Sequence, residues 1–93
     1  MNATVPVPAD IRDQRDSPRF SVSRRMRLLH GPSGISSGVI QDISASGSKV
    51  RLEKAEGVAD NLVLIDLAEG VAYEAVVVWR KPPELGLRFH RRH

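Results

Sequence analysis

From residue 20 onward, apolar and polar residues alternate with a period of two, and turn-forming residues interrupt the alternation about every 8–12 positions. This period places successive side chains on opposite faces of a β-strand, and no segment has the spacing of an amphipathic helix. Closing a short sheet on itself removes its exposed edges. We therefore predict an all-β fold, a small barrel or sandwich of about six strands, with strands at residues 20–28, 38–43, 49–53, 62–67, 71–80 and 85–89.

The first strand shows the alternation most clearly. Phe20, Val22, Met26 and Leu28 share the face that is predicted to point inward. Arg24 is the exception on that face. The four aromatic residues of the chain all fall on inward phases: Phe20, Tyr73, Trp79 and Phe89.

The chain of 93 residues is long enough for one small domain. Residues 14–93 are predicted to form this single barrel domain. Residues 1–13 are predicted to form a flexible N-terminal tail, because Pro6 and Pro8 prevent a continuous helix and apolar residues are sparse. Without a ligand, we expect this mobility to extend as far as Pro18.

Basic residues are concentrated at the two ends of the chain. Residues 1–30 carry a net charge of +3, residues 31–79 carry −4 and residues 80–93 carry +4. If the two ends meet in the fold, they form a cationic surface suited to an anionic ligand. The chain has no cysteine and no apolar run long enough to cross a bilayer, so we expect a cytoplasmic protein without a membrane partner.

Two short elements contain side chains that suit a nucleotide. Arg15 and Arg19 lie four positions apart just before the first strand, and their planar guanidinium groups match phosphate oxygens and the edge of guanine. After the second strand, Asp42 can accept hydrogen bonds from guanine, and Ser44 can donate or accept them. Gly47 permits a positive φ and a close approach of the backbone. Asp42 and Ser44 are equally suited to building a local turn, and the two roles can coexist.

In their order and separation, these elements resemble the signature of the PilZ family, which is RxxxR before the first strand and [D/N]xSxxG after the second. Two later stretches are similar to the late hydrophobic strand and the closing strand of that family: VVVW at residues 76–79 and LGLRF at residues 85–89. The resemblance covers about residues 12–90.

The resemblance implies a small six-stranded antiparallel β-barrel, the PilZ-like split barrel. It also implies that the barrel binds the bacterial second messenger cyclic di-GMP and relays the signal to a downstream protein. It implies ligand-binding roles for Arg15, Arg19, Asp42, Ser44 and Gly47, and it places Trp79 near the ligand. A buried core position is nevertheless the commoner role of a barrel tryptophan. Gln14 stands where many family members have another arginine, so we expect one ligand per chain and a monomer without ligand.

Two alternatives remain open from the sequence. A small basic barrel can bind RNA or single-stranded DNA, but such proteins expose aromatic side chains on the sheet, so the inward phases argue against nucleic acid. A PilZ-like interaction module that no longer binds nucleotide is the second alternative. The serines and histidines show neither the arrangement of a catalytic triad nor the spacing of zinc ligands, so we expect no enzyme, no cofactor and no metal site.

Overall fold

The computed structural model describes residues 18–54 and 57–93, which form one antiparallel sheet closed into a six-stranded barrel. The strands are β1 (Phe20–His30), β2 (Gly34–Ile43), β3 (Gly47–Leu52), β4 (Asn61–Asp66), β5 (Val71–Lys81) and β6 (Glu84–Arg92). Around the barrel their order is β1-β2-β3-β6-β5-β4, and pairing of β4 with β1 closes the sheet. The all-β barrel predicted from the sequence is confirmed.

Two strands extend more than two residues beyond their predicted bounds. β2 begins at Gly34 instead of residue 38, because a tight hairpin pairs His30 directly with Gly34. Gly31 adopts a φ of 63° in this hairpin, a left-handed value that glycine reaches without a steric cost. β6 extends past residue 89, because Arg92 still pairs with Tyr73 of β5.

Aliphatic side chains from all six strands fill the interior of the barrel. They alternate with outward-facing residues, as the period of two predicts. Removing each large one from water contributes about 1.5–3 kcal/mol. The buried apolar residues are Met26, Leu28, Ile40, Ile43, Val50, Leu52, Val58, Leu62, Leu64, Ala75, Leu85 and Leu87.

The charged residue on the inward face of β1 is balanced by a buried carboxylate. Arg24 Nη1 lies 3.0 Å from Oδ2 of Asp66, whose side chain is completely buried. The other carboxylate oxygen of Asp66 accepts hydrogen bonds from the backbone N–H groups of Ala68 and Glu69. Arg24, the charged exception on the apolar face of β1, is therefore one half of an ion pair whose carboxylate also fixes the β4–β5 turn.

Bulges in two strands change which side chains face outward. In β2 an extra residue lies between Ile40 and Asp42, so Asp42 reaches the outer wall while Ile43 remains buried. In β5 an extra residue, Val78, lies between Val77 and Trp79. After this bulge Trp79 also lies on the outer wall.

The prediction that all four aromatic residues point inward is wrong for two of them. Trp79 is 41% exposed because of the bulge in β5, and Phe20 is 60% exposed because it begins β1 at an open end of the barrel. Tyr73 and Phe89 do pack against the core, and their rings stack with centroids 4.1 Å apart. Since two of the aromatic side chains are exposed, the argument against nucleic-acid binding that relied on inward-pointing aromatic residues no longer holds.

Several sequence predictions fall on residues outside the described ranges. These are the flexible tail at residues 1–13, the mobility expected up to residue 17 and the position of Arg15. Within residues 18–54 and 57–93, no helix is long and apolar enough to cross a membrane. The same described residues contain no cluster of three or more His, Asp or Glu side chains that could hold a metal ion.

Candidate ligand-binding site

A groove of about 410 Å³ lies on the outer wall of the barrel, where the start of β3 meets β6 and the bulged end of β5. Arg19 and Asp42 line one side of it, and Val78 and Trp79 line the other. The remaining lining residues come from β3 and β6 and from the turn before β3: Ser46, Gly47, Ser48, Lys49, Gly86, Leu87 and Arg88. The groove therefore joins residues from both basic ends of the chain.

Arg19 and Asp42 form an ion pair at the edge of the groove, with Nη2 of Arg19 2.8 Å from Oδ1 of Asp42. The same carboxylate oxygen accepts a hydrogen bond of 3.0 Å from the backbone N–H of Lys49. The Ser48 hydroxyl donates to the backbone carbonyl of Asp42 at 2.7 Å. Neighbouring strands thus fix Asp42 in position, and its carboxylate is available to any donor that displaces Arg19.

Trp79 covers Gly86 on the neighbouring strand. A Cβ atom at position 86 would overlap with Nε1, Cε2 and Cδ1 of the Trp79 indole, so the ring occupies the space of the missing side chain. Residues 79, 86 and 49 are cross-strand neighbours in register. The indole consequently lies flat along the wall of the groove and leaves 41% of the residue exposed. An aromatic ring in this position can stack on a planar base.

The groove carries more positive than negative charge. Its cations are Arg19, Lys49 and Arg88, and its anion is Asp42, which leaves an excess of two positive charges. Arg19 comes from the basic N-terminal part of the chain and Arg88 from the basic C-terminal part. The condition left open by the sequence is therefore met at Arg19 and Arg88, which form a surface that attracts an anion.

Ser44 builds the turn that positions the second motif. Its side chain is buried, and its Oγ accepts hydrogen bonds of 3.2 Å from the backbone N–H groups of Ser46 and Gly47. The backbone N–H of Ser44 in turn donates to the Gly47 carbonyl at 2.8 Å. Ser44 does not line the groove, whereas Ser46 and Ser48 do.

Gly47 is required for a close approach of two backbones. A Cβ atom at this position would overlap with the backbone carbonyl oxygen of Leu87 on β6. Among the described glycines, only Gly31 and Gly70 have a positive φ. The expected close approach at Gly47 is thus present, and the suggested positive φ is not, because Gly47 already belongs to an extended strand.

Of the six residues predicted to bind the ligand, the structure brings Arg19, Asp42, Gly47 and Trp79 to one groove. Ser44 supports the groove from behind, and Arg15 lies outside the described residues. Among the groove residues that were not predicted from the sequence are Lys49, Gly86 and Arg88. The alternation in the sequence predicts that these three residues face outward on β3 and β6. They reach the site only because β6 pairs with β3 on one side and with β5 on the other.

The described residues thus define a small closed six-stranded β-barrel domain with a cationic groove on its outer wall. The family of PilZ domains matches residues 13–92, so the chain belongs to the PilZ family. PilZ domains are non-enzymatic receptor domains for cyclic di-GMP. A search of curated proteins finds no match to this chain.

Proposed function

We propose that this chain binds cyclic di-GMP in the groove between Arg19, Asp42 and Trp79, and that it acts as a receptor rather than as an enzyme. The observation that carries the proposal is the contact of 2.8 Å between Arg19 and Asp42, which lie 23 positions apart in the sequence. The two family motifs therefore meet at one point of the barrel surface. Membership of the PilZ family supports the choice of ligand.

Asp42 and Arg19 supply complementary groups for a guanine base. Guanine offers N1–H and an amino group as donors, which suit the Asp42 carboxylate, and it offers O6 and N7 as acceptors, which suit Arg19. Binding requires the two side chains to exchange their mutual ion pair for contacts with the ligand. Both are partly exposed, at 44% and 23%, and an exposed pair contributes only about 0–1 kcal/mol, so opening it costs little.

The remaining charges suit the phosphates of the ligand. Cyclic di-GMP carries two phosphodiester charges, and the groove has an excess of two positive charges from Arg19, Lys49 and Arg88 over Asp42. Trp79 provides a flat apolar surface on which the second base can stack. Arg15 belongs to the same motif as Arg19 and is proposed to add a further phosphate contact, which the Arg15→Ala variant tests.

Gly47 and Ser44 shape the groove in this proposal. Gly47 allows β3 to approach β6 closely, and Ser44 holds the turn through its buried hydroxyl group. Because Gln14 stands in place of a further arginine, one ligand molecule per chain is expected. A change in the charge of this surface on binding is what a downstream protein would detect.

Isothermal titration calorimetry of the full chain with cyclic di-GMP, cyclic di-AMP and GTP tests the proposal. We expect saturable binding of cyclic di-GMP at a ratio of one, and weaker binding of the other nucleotides. Arg19→Ala and Arg15→Ala should each weaken binding by about 5- to 150-fold, which corresponds to about 1–3 kcal/mol per lost arginine contact. Arg25→Ala is the matched control, because Arg25 is exposed on β1 and does not line the groove.

A second candidate ligand is single-stranded nucleic acid, since Trp79 and Phe20 are exposed beside cationic side chains. A short oligothymidine in the same calorimeter distinguishes the two. Binding of the oligonucleotide that exceeds binding of cyclic di-GMP, or wild-type affinity of both arginine variants for cyclic di-GMP, would reject the proposed function.

A further inference from the structure

A second concave surface lies at the end of the barrel where β6 finishes. It has a volume of about 440 Å³ and is lined by Ser44, Ala45, Tyr73, Phe89, His90, Arg91 and Arg92. None of these residues lines the groove proposed for cyclic di-GMP. We call this the end surface, and the function described so far does not use it.

The rim of the end surface is cationic and largely unpaired. His90, Arg91 and Arg92 are exposed, and none of them forms an ion pair with another described residue. Glu74 is the cross-strand partner of Arg91, and its carboxylate is already bound by His93 at 2.6 Å. The hydrogen bond from His93 lowers the pKa of Glu74, and the positive charge of Arg91 lowers it further.

The floor of the end surface is apolar and ordered by packing. Tyr73 and Phe89 stack with an angle of 13° between their planes, and both pack against the barrel core. They are only partly buried, so they present aromatic surface to the cavity. An aromatic floor inside a cationic rim is complementary to an apolar side chain with carboxylates on either side.

We propose that the end surface docks an acidic segment of a partner protein, with one apolar side chain on the Tyr73–Phe89 stack and carboxylates against Arg91 and Arg92. The position of this surface suits a partner that senses the groove. Residues 44 and 45 of the turn line the end surface, while residues 46 and 47 of the same turn line the groove. The docking itself does not depend on cyclic di-GMP and is tested in its absence.

The probe is a fluorescently labelled peptide with a central phenylalanine between two runs of glutamate, titrated into the full chain and followed by anisotropy. Two control peptides replace the glutamates by glutamine or the phenylalanine by serine, and both should bind more weakly. Amide chemical shifts of the labelled protein should change most at residue 45 and residues 89–92. Raised salt should weaken the complex.

Arg91→Gln with Arg92→Gln should weaken peptide binding about two- to thirtyfold, since two exposed ion pairs with the peptide are lost. The matched control is Arg25→Gln with Arg27→Gln, which removes the same charge from β1 and should leave binding unchanged. Ala45→Glu provides an independent test, because it places a carboxylate on the end surface and should also weaken binding, whereas Ala45→Gln should not. Equal weakening by both arginine pairs, shift changes confined to other regions, or no saturable binding would overturn the proposal.

Discussion

The Trp79 indole occupies the space above Gly86 that a side chain at position 86 would fill. We predict that Gly86→Ala displaces the ring from the wall of the groove. Trp79 is the single tryptophan of the chain, so its fluorescence emission reports the displacement directly. Affinity for cyclic di-GMP should fall by about fivefold or more, because stacking on an aromatic side chain contributes about 1–3 kcal/mol.

Gly57→Ala is the control for this prediction, because nothing lies within 4 Å of a Cβ atom at position 57. It should leave both the emission spectrum and the affinity as in the wild type. An unchanged emission spectrum in Gly86→Ala would contradict the described packing, and an unchanged affinity would remove Trp79 from the proposed site.

Gly47→Ala should destabilise the fold more than Gly86→Ala does. At position 47 the added methyl group meets the backbone carbonyl of Leu87, whereas at position 86 it meets a side chain that can move. We expect the free energy of unfolding to fall by about 1–3 kcal/mol for Gly47→Ala, as for other overpacked sites. In urea denaturation, the loss in free energy of unfolding should be largest for Gly47→Ala, smaller for Gly86→Ala and smallest for Gly57→Ala. Any other order would contradict the close approach of backbones described at Gly47.

Asp66 is predicted to be the most important polar residue for stability. Asp66→Ala would leave Arg24 without its carboxylate partner and the N–H groups of Ala68 and Glu69 without their acceptor. Breaking a buried ion pair in this way should lower the free energy of unfolding by about 3–5 kcal/mol. Asp60→Ala is the comparison, because Asp60 is 84% exposed in its pair with Arg80 and should contribute at most about 1 kcal/mol. Similar losses for the two variants would show that the Arg24–Asp66 pair is not protected from water.

The contact between Glu74 and His93 makes a prediction about pH. The hydrogen bond from His93 lowers the pKa of Glu74 below its ordinary value of 4.5. The stabilisation from this contact should therefore be present above pH 4.5 and be lost as the pH falls through the lower pKa of the folded state. An NMR titration of the Glu74 carboxylate should give a midpoint below 4.5 that rises in His93→Gln.

His30→Gln serves as the control for that titration, because the His30 ring contacts Ser36 and not Glu74. It should leave the midpoint of Glu74 unchanged. A Glu74 midpoint that is the same in the wild type and in His93→Gln would show that the contact is absent in solution.

The regular alternation of the chain was sufficient to predict an all-β fold, because the period of two determines which residues can fill its interior. The choice of a barrel over a sandwich came from the resemblance to the PilZ family. Met26, Leu28 and Val50 are buried as that pattern requires. The errors concern residues at bulges and strand ends. Trp79 reaches the outer wall through an extra residue in β5, and one sequence contains no local signal that separates a bulge from regular alternation.

The candidate site could be predicted only in part, for a related reason. Arg19, Asp42 and Gly47 were identifiable because they belong to two short motifs. Lys49 and Arg88 lie at the groove because β3 pairs with β6, a contact between strands that are far apart in the sequence. Such a pairing depends on the order of strands around the barrel, which the alternation of residues within each strand does not determine.

Chemical-shift mapping of the full, isotopically labelled chain with cyclic di-GMP is the most direct test of the central claim. The proposed site predicts that the amides of residues 46–49 and 86–88 and the indole N–H of Trp79 change most on saturation. Arg25 and Arg27 on β1 should change little, because neither lines the groove. No change at millimolar cyclic di-GMP, or the largest changes at the Gly31 hairpin or at residues 89–93, would contradict binding in the groove.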